Sequence, residues 1–408
     1  MNILILGLNY APEPVGIGPY TTGMATALAE AGHRVTVVAG KPYYPAWKVD
    51  PAFAGGGVRR TVEDGVRVVR VPIYVPANPN GRRRLLHHAS FALRAQPEML
   101  AEAKRAKPDL VIAIAPSLIG TVAARTTARA FGAKLWLHIQ DFEVEAAFAT
   151  GLLSEQGMAA RAARAFERWS VAADRISTIS PQMCAKLRAL GVSEGKIVEF
   201  RNWASLDRIR PLEGPSPYRA EWGIDRPHVA FYSGNIANKQ GIEIIVDAAR
   251  LLARRRDLMF VVCGEGPNRE RLIEAARGQD NIRFFDLQPM ERLSDLLGMA
   301  TVHLLPQIAG AADLVLPSKL TNMLASARPV IATAEAGTGL AQEVDGVGIV
   351  TRPEDAAGFA AAIEQLIDDP ARCAALGAAA RLRAEERWSK ARILARFEQQ
   401  VREAVERG

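Results

Sequence analysis

The stretch "LGLNYAPEPVGIGPY", residues 6–20, joins a β-strand pattern to a helical pattern through a loop that contains glycine and proline. The apolar run before it ends at Gly7, and helical spacing begins only at about Thr21. A strand, a glycine-bearing loop and a helix N-terminus are the parts from which α/β proteins build phosphate-binding sites. The stretch therefore predicts a first βα unit whose loop either binds a phosphate or is only a turn.

Short β-rich runs alternate with helical patterns along almost the whole chain. Many of these runs are continuously apolar and rich in valine and isoleucine, which is typical of parallel strands buried on both faces. The predicted strands are residues 2–8, 34–39, 67–72, 109–115, 134–139, 175–179, 196–200, 228–233, 258–263, 281–286, 301–305, 329–333 and 348–350. The alternation predicts an α/β protein with doubly wound parallel sheets.

The length of 408 residues is too great for one ordinary core and predicts two domains. Residues 207–227 contain several prolines and glycines and show no periodicity, so we predict an interdomain linker there. The predicted organisation is a first Rossmann-like domain at 1–206, a second at 228–386, and a C-terminal helix at 387–408 that crosses back to the first domain. The two domains are expected to face each other across a cleft.

Charge and cysteine usage narrow the class of protein. Lys and Arg number 51 against 44 Asp and Glu, and this excess favours anionic partners such as nucleotide sugars, anionic lipids or nucleic acid. The three cysteines, Cys184, Cys263 and Cys373, form no disulfide framework and have no metal-ligand spacing, which predicts a reducing compartment. The N-terminus lacks the basic start of a signal peptide, and we expect a cytoplasmic location.

The glycines of the opening loop do not form a dinucleotide fingerprint. In the pattern G-x-G-x-x-G, Gly16 and Gly18 would be followed by a third glycine, and Thr21 stands there instead. No acidic residue closes the second predicted strand either, which argues against a nicotinamide-dependent oxidoreductase. What remains is a long loop that lets the backbone approach a ligand ahead of a helix N-terminus.

Two junctions in the second half of the chain have the same arrangement of a strand, a glycine-bearing loop and a helix. In "FYSGNIANKQGIEIIVDAAR", residues 231–250, a strand ends near Gly234, and a polar loop carrying Lys239 leads to a helix. Backbone amides and one ammonium group could hold a diphosphate there, or the loop is an ordinary surface loop with an incidental lysine. In "VVCGEGPNRERL", residues 261–272, Gly264 and Gly266 either approach a ligand or serve only the turn.

Another candidate ligand-binding segment is "LVLPSKLTNMLASARPVIAT", residues 314–333. Ser318 and Lys319 directly follow Pro317, a residue that suits the first turn of a helix. Asn322 comes about one turn later and can face the same side as Lys319. Phosphate and ribose contacts are the favoured interpretation, since no partner motif supports a Ser–Lys nucleophile pair, and an inert helix start is the alternative.

Two further stretches carry candidate residues. In "LWLHIQDFEVE", residues 135–145, His138 lies near the carboxyl end of a buried strand and Asp141 just beyond it, so His138 is either a core histidine or a cleft residue. "NGRRRLLHHASFALR", residues 80–94, combines basic residues with leucines. It predicts an ordinary amphipathic helix or a segment that lies on anionic lipid. Nucleic-acid binding is not expected, because no recognition motif accompanies the charge.

Taken together, these motifs resemble those of the retaining glycosyltransferases of family 4, and the similarity extends over nearly the whole chain. The nearest resemblance is to the colanic-acid-type fucosyltransferases of exopolysaccharide synthesis. It implies the GT-B fold, a nucleotide-sugar donor with GDP-fucose as the leading candidate, and no cofactor. It also implies a lipid-linked oligosaccharide acceptor at the anionic inner face of the plasma membrane. The alternatives are a sugar-nucleotide epimerase of the same fold and a non-catalytic sugar-nucleotide-binding subunit of a polysaccharide complex.

The resemblance also implies roles for individual residues. Gly16 and Gly18 would lie over the distal phosphate of the donor, and His138 and Asp141 fit the H-x-x-D segment beside the transferred sugar, as catalytic residues. The other donor-binding positions that it implies are Gly234, Asn235, Lys239, Gln240, Gly264, Gly266, Leu287, Ser318, Lys319 and Asn322.

The chain departs from the family pattern at two places. Where the family has an Arg and a Lys that clamp the diphosphate, this chain has Asn235 and Gln240, with Lys239 one place early. The paired glutamates of the family's E-x7-E motif fall on Leu314, next to Asp313, and on Asn322. No pair of carboxylates is placed to hold a metal, so we expect helix N-termini with Lys239 and Lys319 to stabilise the diphosphate instead.

Overall fold

The structure is a computed structural model that describes residues 1–14, 16–142, 157–204, 206–236, 240–308 and 318–406. The chain divides into two compact units, Met1–Asn202 with Leu394–Gly408, and Trp203–Ile393. Each unit contains a largely parallel sheet with helices, so the predicted α/β class with two Rossmann-like sheets is confirmed. The exact domain boundaries given above stay predictions.

The described part of the first unit has an eight-stranded sheet with the order β3-β4-β2-β1-β5-β6-β7-β8. Its strands are β1 (Asn2–Gly7), β2 (Arg34–Gly40), β3 (Arg59–Glu63), β4 (Val66–Val71), β5 (Leu110–Ala115), β6 (Lys134–Ile139), β7 (Arg175–Thr178) and β8 (Ile197–Glu199). All neighbours are parallel except β3, which pairs antiparallel with β4. The sequence did not predict β3, because this edge strand is charged and mostly exposed and lacks the apolar run of its neighbours.

The helices of the first unit are α1 (Gly18–Glu30), α2 (Gly81–Arg105), α3 (Gly120–Phe131), α4 (Met158–Ser170) and α5 (Pro181–Ala189). Helix α1 begins at Gly18, earlier than the predicted start near Thr21. A proline in its first turn explains the difference, since Pro19 has a φ angle suited to a helix and needs no amide partner there. Helix α2 is capped by Asn80, the residue before its start, whose side chain accepts a hydrogen bond from the Arg83 amide.

The described part of the second unit has a six-stranded parallel sheet with the order β11-β10-β9-β12-β13-β14. Its strands are β9 (His228–Ser233), β10 (Leu258–Cys263), β11 (Ile282–Phe285), β12 (Val302–Leu305), β13 (Val330–Thr333) and β14 (Gly348–Thr351). Its helices are α6 (Pro217–Glu221), α7 (Glu243–Leu251), α8 (Arg269–Ala275), α9 (Leu293–Gly298), α10 (Ser318–Ala325), α11 (Gly339–Val344), α12 (Ala356–Ile367) and α13 (Pro370–Arg387).

In both sheets the strand order reverses near the middle, between β1 and β5 in the first and between β9 and β12 in the second. Loops that leave the carboxyl ends of two such strands run to opposite faces of the sheet and open a crevice, where α/β proteins bind their ligands. The opening glycine loop follows β1, and the loop that starts at Gly234 follows β9. The two candidate loops therefore lie at the two switch points.

The last helix, α14 (Lys390–Glu406), packs on the first unit from Leu394 onward. The Phe397 ring stacks on Phe200 with centroids 4.1 Å apart and meets Trp136 edge-on at 5.2 Å. In the same helix, Glu398 Oε1 lies 2.9 Å from His33 Nε2. Residues 207–227 belong to the second unit, and within them Tyr218 of α6 is fully buried.

Candidate functional site

The loops after β9 and β10 approach each other so closely that side chains do not fit between them. A Cβ atom on Gly264 would lie 1.9 Å from the Gly234 carbonyl oxygen, and one on Gly266 would lie 2.2 Å from the Ile236 carbonyl oxygen. Backbone hydrogen bonds fix this arrangement, because the Ile236 amide donates to the Glu265 carbonyl at 2.8 Å. The glycines are therefore required for two backbone segments to meet at the carboxyl edge of the second sheet.

Lys319, in the first turn of α10, reaches this same edge. Its Nζ donates a hydrogen bond to Tyr232 Oη at 2.8 Å, and it lies 4.4 Å from the centroid of the Tyr232 ring. A Cβ atom on Gly234 would lie 3.0 Å from Lys319 Nζ, so the ammonium group is next to the glycine loop. Tyr232 Oη in turn donates to the Asn235 carbonyl at 2.7 Å. The structure thus brings Gly234, Gly264 and Lys319 together, and sequence reasoning missed Tyr232.

The other predicted donor-binding residues of the second unit differ in how much of their surface is exposed to solvent. Asn235 and Leu287 are exposed, and the Leu287 side chain retains 65% of its accessible surface. Gln240 and Asn322 are half-buried. Lys239, Asp313 and Leu314 lie outside the described residues, as does the side chain of Ser318.

In the first unit, a buried carboxylate organises the opening loop. Glu13 is 5% exposed, and its Oε1 accepts hydrogen bonds from the amides of Tyr43 and Tyr44 at 2.9 and 3.0 Å. Its Oε2 accepts from Asn9 Nδ2 at 2.8 Å. Burial raises the pKa of Glu13, whereas these three hydrogen bonds lower it. The carboxylate therefore ties the loop after β1 to the turn after β2.

Both predicted glycines of this loop are in tight contacts. Gly16 has a φ of +72°, and a Cβ atom there would lie 3.1 Å from Cε1 of Tyr44. A Cβ atom on Gly18 would lie 3.1 Å from the Glu13 Cβ. Gly16 is exposed and Gly18, at the start of α1, is buried. The loop therefore needs glycine at Gly16 for its backbone conformation and at Gly18 for its packing.

His138 lies inside the first unit, 2% exposed. Its Nδ1 is 2.9 Å from Ser177 Oγ, and its Nε2 is 3.0 Å from Gln140 Nε2, which donates to it. Burial lowers the pKa of His138 to about 3, so its ring is neutral at pH 7. Both ring nitrogens bond to the protein, and this geometry corresponds to the core-histidine alternative. Through these two bonds, the His138 side chain holds the carboxyl end of β6 in place.

Asp141, just beyond β6, is exposed. Desolvation by the surrounding protein raises the pKa of its carboxyl group, while the Phe142 amide and Lys186 lower it. Desolvation also lowers the pKa of Lys186 to about 8, although Asp141 acts in the opposite direction. The Lys186 Nζ lies 4.3 Å from the centroid of the Phe142 ring. Asp141 is therefore an accessible carboxylate with a cation in its vicinity.

Helix α2 presents leucines and arginines to solvent at its N-terminal end. Leu85 is 49% exposed and Leu86 is 61% exposed, and the arginines at residues 82–84 are all exposed. Leu93, on the following turns, is 76% exposed. Within the described part of the chain, no helix has the length and apolar character that a membrane span requires. This helix end is thus an exposed surface that is both basic and apolar.

Two other features bear on what the chain binds. In the described ranges, no three His, Cys, Asp or Glu side chains come together as a metal site would require. A cavity of about 600 Å³ lies at the amino ends of β9, β12 and β13, lined by His228, Thr301 and Pro329 among others. This cavity is at the edge of the sheet opposite to Gly234 and Gly264, so it is separate from the glycine loops.

Sequence reasoning also missed the aromatic turn after β2, residues 43–47, and its partner Glu13. The stretch "KPYYPAW", residues 41–47, directly follows a buried strand. Three aromatic residues and two prolines at the carboxyl end of a parallel strand are a signal of a ligand-facing turn, since buried strands in such sheets end where ligands bind. The pairing of Glu13 with the turn depends on tertiary structure and has no local signal.

Comparison with known proteins gives consistent matches over the chain. A model described as "Glycosyl transferase 4-like domain" matches residues 15–203, and one described as "Glycosyl transferases group 1" matches residues 216–383. The chain is 38% identical over 414 residues to the putative colanic acid biosynthesis glycosyl transferase WcaI of Escherichia coli K12, covering 98% of this chain and 100% of WcaI.

Solved structures show the same fold at low sequence identity. Sucrose-phosphate synthase from Thermosynechococcus elongatus superposes with a TM-score of 0.75 at 19% identity, over 100% of both chains. Anabaena Alr3699/HepE, solved in complex with UDP, superposes with a TM-score of 0.67 at 14% identity, over 99% of this chain and 100% of that one.

Proposed function

The chain belongs to the GT4 family of retaining glycosyltransferases, which have the GT-B fold and use nucleotide sugars, and we propose that it transfers a sugar to a lipid-linked oligosaccharide in exopolysaccharide synthesis. A relative that matches 98% of the chain is described as a putative colanic acid biosynthesis glycosyl transferase, which supports a pathway of that type. GDP-fucose is the proposed donor. The proposed place of reaction is the cytoplasmic face of the plasma membrane.

The observation that carries the donor assignment is the position of Lys319 beside the glycine loops. Its ammonium group lies next to Gly234, whose carbonyl oxygen leaves no room for a side chain on Gly264. A bound nucleoside diphosphate carries negative charge that the protein must balance. Backbone N–H groups of glycine loops and a nearby cationic side chain can balance this charge. We therefore assign the donor diphosphate to the edge formed by Gly234, Gly264 and Lys319, with Asn235, Gln240 and Asn322 as further proposed contacts.

The proposed reaction breaks the bond between the anomeric carbon and the diphosphate oxygen. The acceptor hydroxyl oxygen bonds to the anomeric carbon on the same face, and its proton passes to the departing diphosphate. Positive charge develops on the sugar ring and negative charge grows on the leaving group. Lys319 stabilises the leaving diphosphate more strongly as its charge increases, which lowers the barrier as well as binding the donor.

In this proposal Asp141 is the catalytic residue of the first unit, because its carboxylate is accessible. Negative charge near the sugar favours the transition state, in which the ring gains positive character. His138 is proposed as a positioning residue, since its ring nitrogens bond to Ser177 and Gln140. This is a narrower role than the sequence suggested for it. Gly16 and Gly18 remain proposed contacts of the donor.

The basic and apolar end of α2 supports the membrane part of the proposal. Exposed leucines beside arginines are typical of segments that lie on anionic lipid, because the leucines enter the headgroup region while the arginines pair with phosphates. Leu85 and Leu86 follow the arginines at 82–84 directly. An enzyme that acts on a lipid-linked acceptor gains from such a surface, since it brings the site to the membrane.

The experiment that tests the proposed function incubates radiolabelled donor with and without a membrane lipid extract. We expect label to enter the lipid fraction only when the extract is present. Conversion of the donor alone would show an epimerase instead, and no turnover in either case would show a binding subunit.

A thermal-shift screen with GDP, UDP and dTDP identifies the base of the donor, because a ligand at 100 times its dissociation constant adds about 2.7 kcal/mol to the free energy of unfolding.

A further inference from the structure

The turn after β2 places aromatic rings at the carboxyl edge of the first sheet. Tyr44 is 36% exposed, and Trp47 is half-buried. The centroids of their rings are 6.5 Å apart and the ring planes are 78° apart, so together they form a corner. The guanidinium carbon of Arg84, at the exposed start of α2, lies 5.2 Å from the Trp47 ring centroid. Aromatic faces and one cation are thus combined on one surface.

We propose that this corner, formed by Tyr44 and Trp47, binds a pyranose ring of the acceptor. The inference rests on the proposed function for the class of ligand, and it assigns a site to the acceptor sugar. One face of a pyranose presents C–H groups that carry partial positive charge. These groups pack against the negative face of an aromatic ring, while the hydroxyl groups stay at the edge. Two rings at a large angle contact a sugar from two sides.

The corner is held by interactions that an ordinary surface turn does not have. The Glu13 carboxylate, 5% exposed, accepts from the Tyr43 and Tyr44 amides and so fixes the start of the turn. Beneath it, the Tyr43 ring packs on the fully buried His87, with centroids 4.6 Å apart. Burying a carboxyl group is costly unless it is hydrogen-bonded, and the two amides of the turn together with Asn9 provide these bonds for Glu13. The side chains that form the corner are therefore presented by a rigid support.

The backbone conformation at Trp47 is a further observation in favour of this proposal. Its φ is +50°, in the left-handed region that a bulky residue rarely adopts. Such a conformation costs about 1–3 kcal/mol, and residues held in it are enriched at ligand-binding and catalytic sites. A glycine would adopt it without this cost, but it would remove the ring. The strained backbone thus keeps an aromatic ring here that packs on Tyr43 and His87, at centroid distances of 5.4 and 5.6 Å, and stays partly exposed.

Arg84 extends the corner toward the exposed, basic and apolar end of α2. It lies directly before Leu85 and Leu86, which are exposed. A lipid-linked acceptor consists of a sugar, an anionic phosphate group and an apolar chain in that order. The surface offers two aromatic rings and one guanidinium, and two exposed leucines follow that arginine along α2. This correspondence favours a lipid-linked sugar over a free sugar as the occupant.

The test measures sugar binding separately from transfer. Saturation-transfer NMR with methyl glucoside, methyl galactoside and methyl fucoside as probes is carried out at saturating nucleoside diphosphate, so that the donor site is occupied. In the wild type we expect saturation of the C–H protons of at least one probe. Tyr44→Ala and Trp47→Ala should reduce this signal at least tenfold, while Tyr44→Phe, which keeps the ring, should retain it.

Trp169→Ala is the matched control, because Trp169 is exposed to a similar extent, 38%, at the end of α4. It should leave the signal unchanged. Calorimetry with the nucleoside diphosphate alone should give wild-type affinity for the variants at Tyr44, Trp47 and Trp169, which shows that the fold and the donor site are intact. Glu13→Ala should weaken the signal, and Glu13→Gln, which keeps an oxygen acceptor, should recover most of it.

Two binding results would overturn the inference, in addition to the kinetic result given below: no saturation of any probe in the wild type, or equal saturation in the wild type and in Tyr44→Ala and Trp47→Ala. A parallel assay with donor and membrane lipid extract distinguishes failure of the proposed function. If the probes bind at the corner but label never enters lipid, the acceptor site stands and the lipid-linked acceptor is wrong. If transfer occurs with wild-type KM for the extract in both variants, the corner does not bind the acceptor.

Discussion

The carbonyl oxygen of Gly234 occupies the space that a side chain on Gly264 would need, since a Cβ atom there would lie 1.9 Å from that oxygen. The Gly234 amide also donates to the Cys263 carbonyl at 3.0 Å. Two loops from adjacent strands are thus in backbone contact at the carboxyl edge of the second sheet. A ligand at this edge meets main-chain groups together with the Lys319 side chain, and this suits a diphosphate.

Gly264→Ala should disrupt this edge and weaken nucleoside-diphosphate binding. The added methyl group meets a backbone oxygen that cannot move aside cheaply, and φ at Gly264 is +153°. We expect a loss of stability of about 2 kcal/mol or more together with the loss of binding. Gly214→Ala is the matched control, because a Cβ atom at Gly214 meets nothing within 4 Å. Equal melting temperatures and equal affinities for the two variants would show that the contact is unimportant.

The sequence was sufficient for most of the fold because buried parallel strands carry a strong local signal. Strands β6, β9 and β10 have the predicted bounds, since their apolar runs stop abruptly at polar or glycine residues. Edge strand β3 lacks that signal. It is held by pairing with β4, and its exposed face is charged, so no period of apolar residues marks it.

For the candidate site, the sequence identified the loops but not all of the contacts. Glycines after strands are visible in a sequence, and Gly234 and Gly264 do meet. The bond between Lys319 and Tyr232 joins residues 87 positions apart, in α10 and β9, so it depends on tertiary structure. The local sequence could not decide whether His138 is a core residue or a cleft residue, because its burial and its contact with Ser177 depend on tertiary structure.

The two residues at the end of β6 should respond differently to substitution. Asp141→Asn removes a charge from an exposed side chain, so we expect turnover to fall about 100-fold with the melting temperature unchanged. His138→Ala removes a buried ring that bonds to Ser177 and Gln140. We expect it to lower both turnover and melting temperature. Single-turnover rates and thermal unfolding, measured side by side, check this. Full activity of Asp141→Asn would remove Asp141 from the catalytic site.

Acid should destabilise the protein below about pH 6.5. Burial lowers the pKa of His87 to about 4 and the pKa of His138 and His303 to about 3, from an ordinary value of 6.5. Between these values the unfolded chain binds protons that the folded chain does not, so stability falls as the pH decreases. Each histidine contributes up to about 1.4 kcal/mol per pH unit.

The measurement is the midpoint of thermal unfolding between pH 7.5 and pH 4.5. His303→Gln should make the dependence less steep, because His303 is fully buried and the amide side chain has no proton to gain in this range. A midpoint that does not change with pH in the wild type would contradict the neutral state of the buried rings.

The arginines at residues 82–84 should promote binding to anionic vesicles. Each exposed arginine near a negatively charged membrane contributes about 1 kcal/mol, and salt weakens this contribution. Replacing all three by Gln should reduce co-sedimentation with vesicles of anionic lipid at low salt and leave binding to the soluble nucleoside diphosphate unchanged. The control replaces Arg256, Arg271 and Arg277 by Gln, an equal change of charge in the second unit. If both triple variants sediment alike, the end of α2 is not a membrane surface.

The position of Lys319 beside Gly234 is tested most directly by calorimetric titration of the nucleoside diphosphate into the wild type and Lys319→Ala. The interaction exists in the bound donor and strengthens as the diphosphate departs, so both affinity and single-turnover rate should fall, affinity by about tenfold or more. Tyr232→Phe, which removes only the hydroxyl partner at 2.8 Å, should have a smaller effect. Wild-type affinity in Lys319→Ala would contradict the account, because the donor diphosphate would then be bound elsewhere.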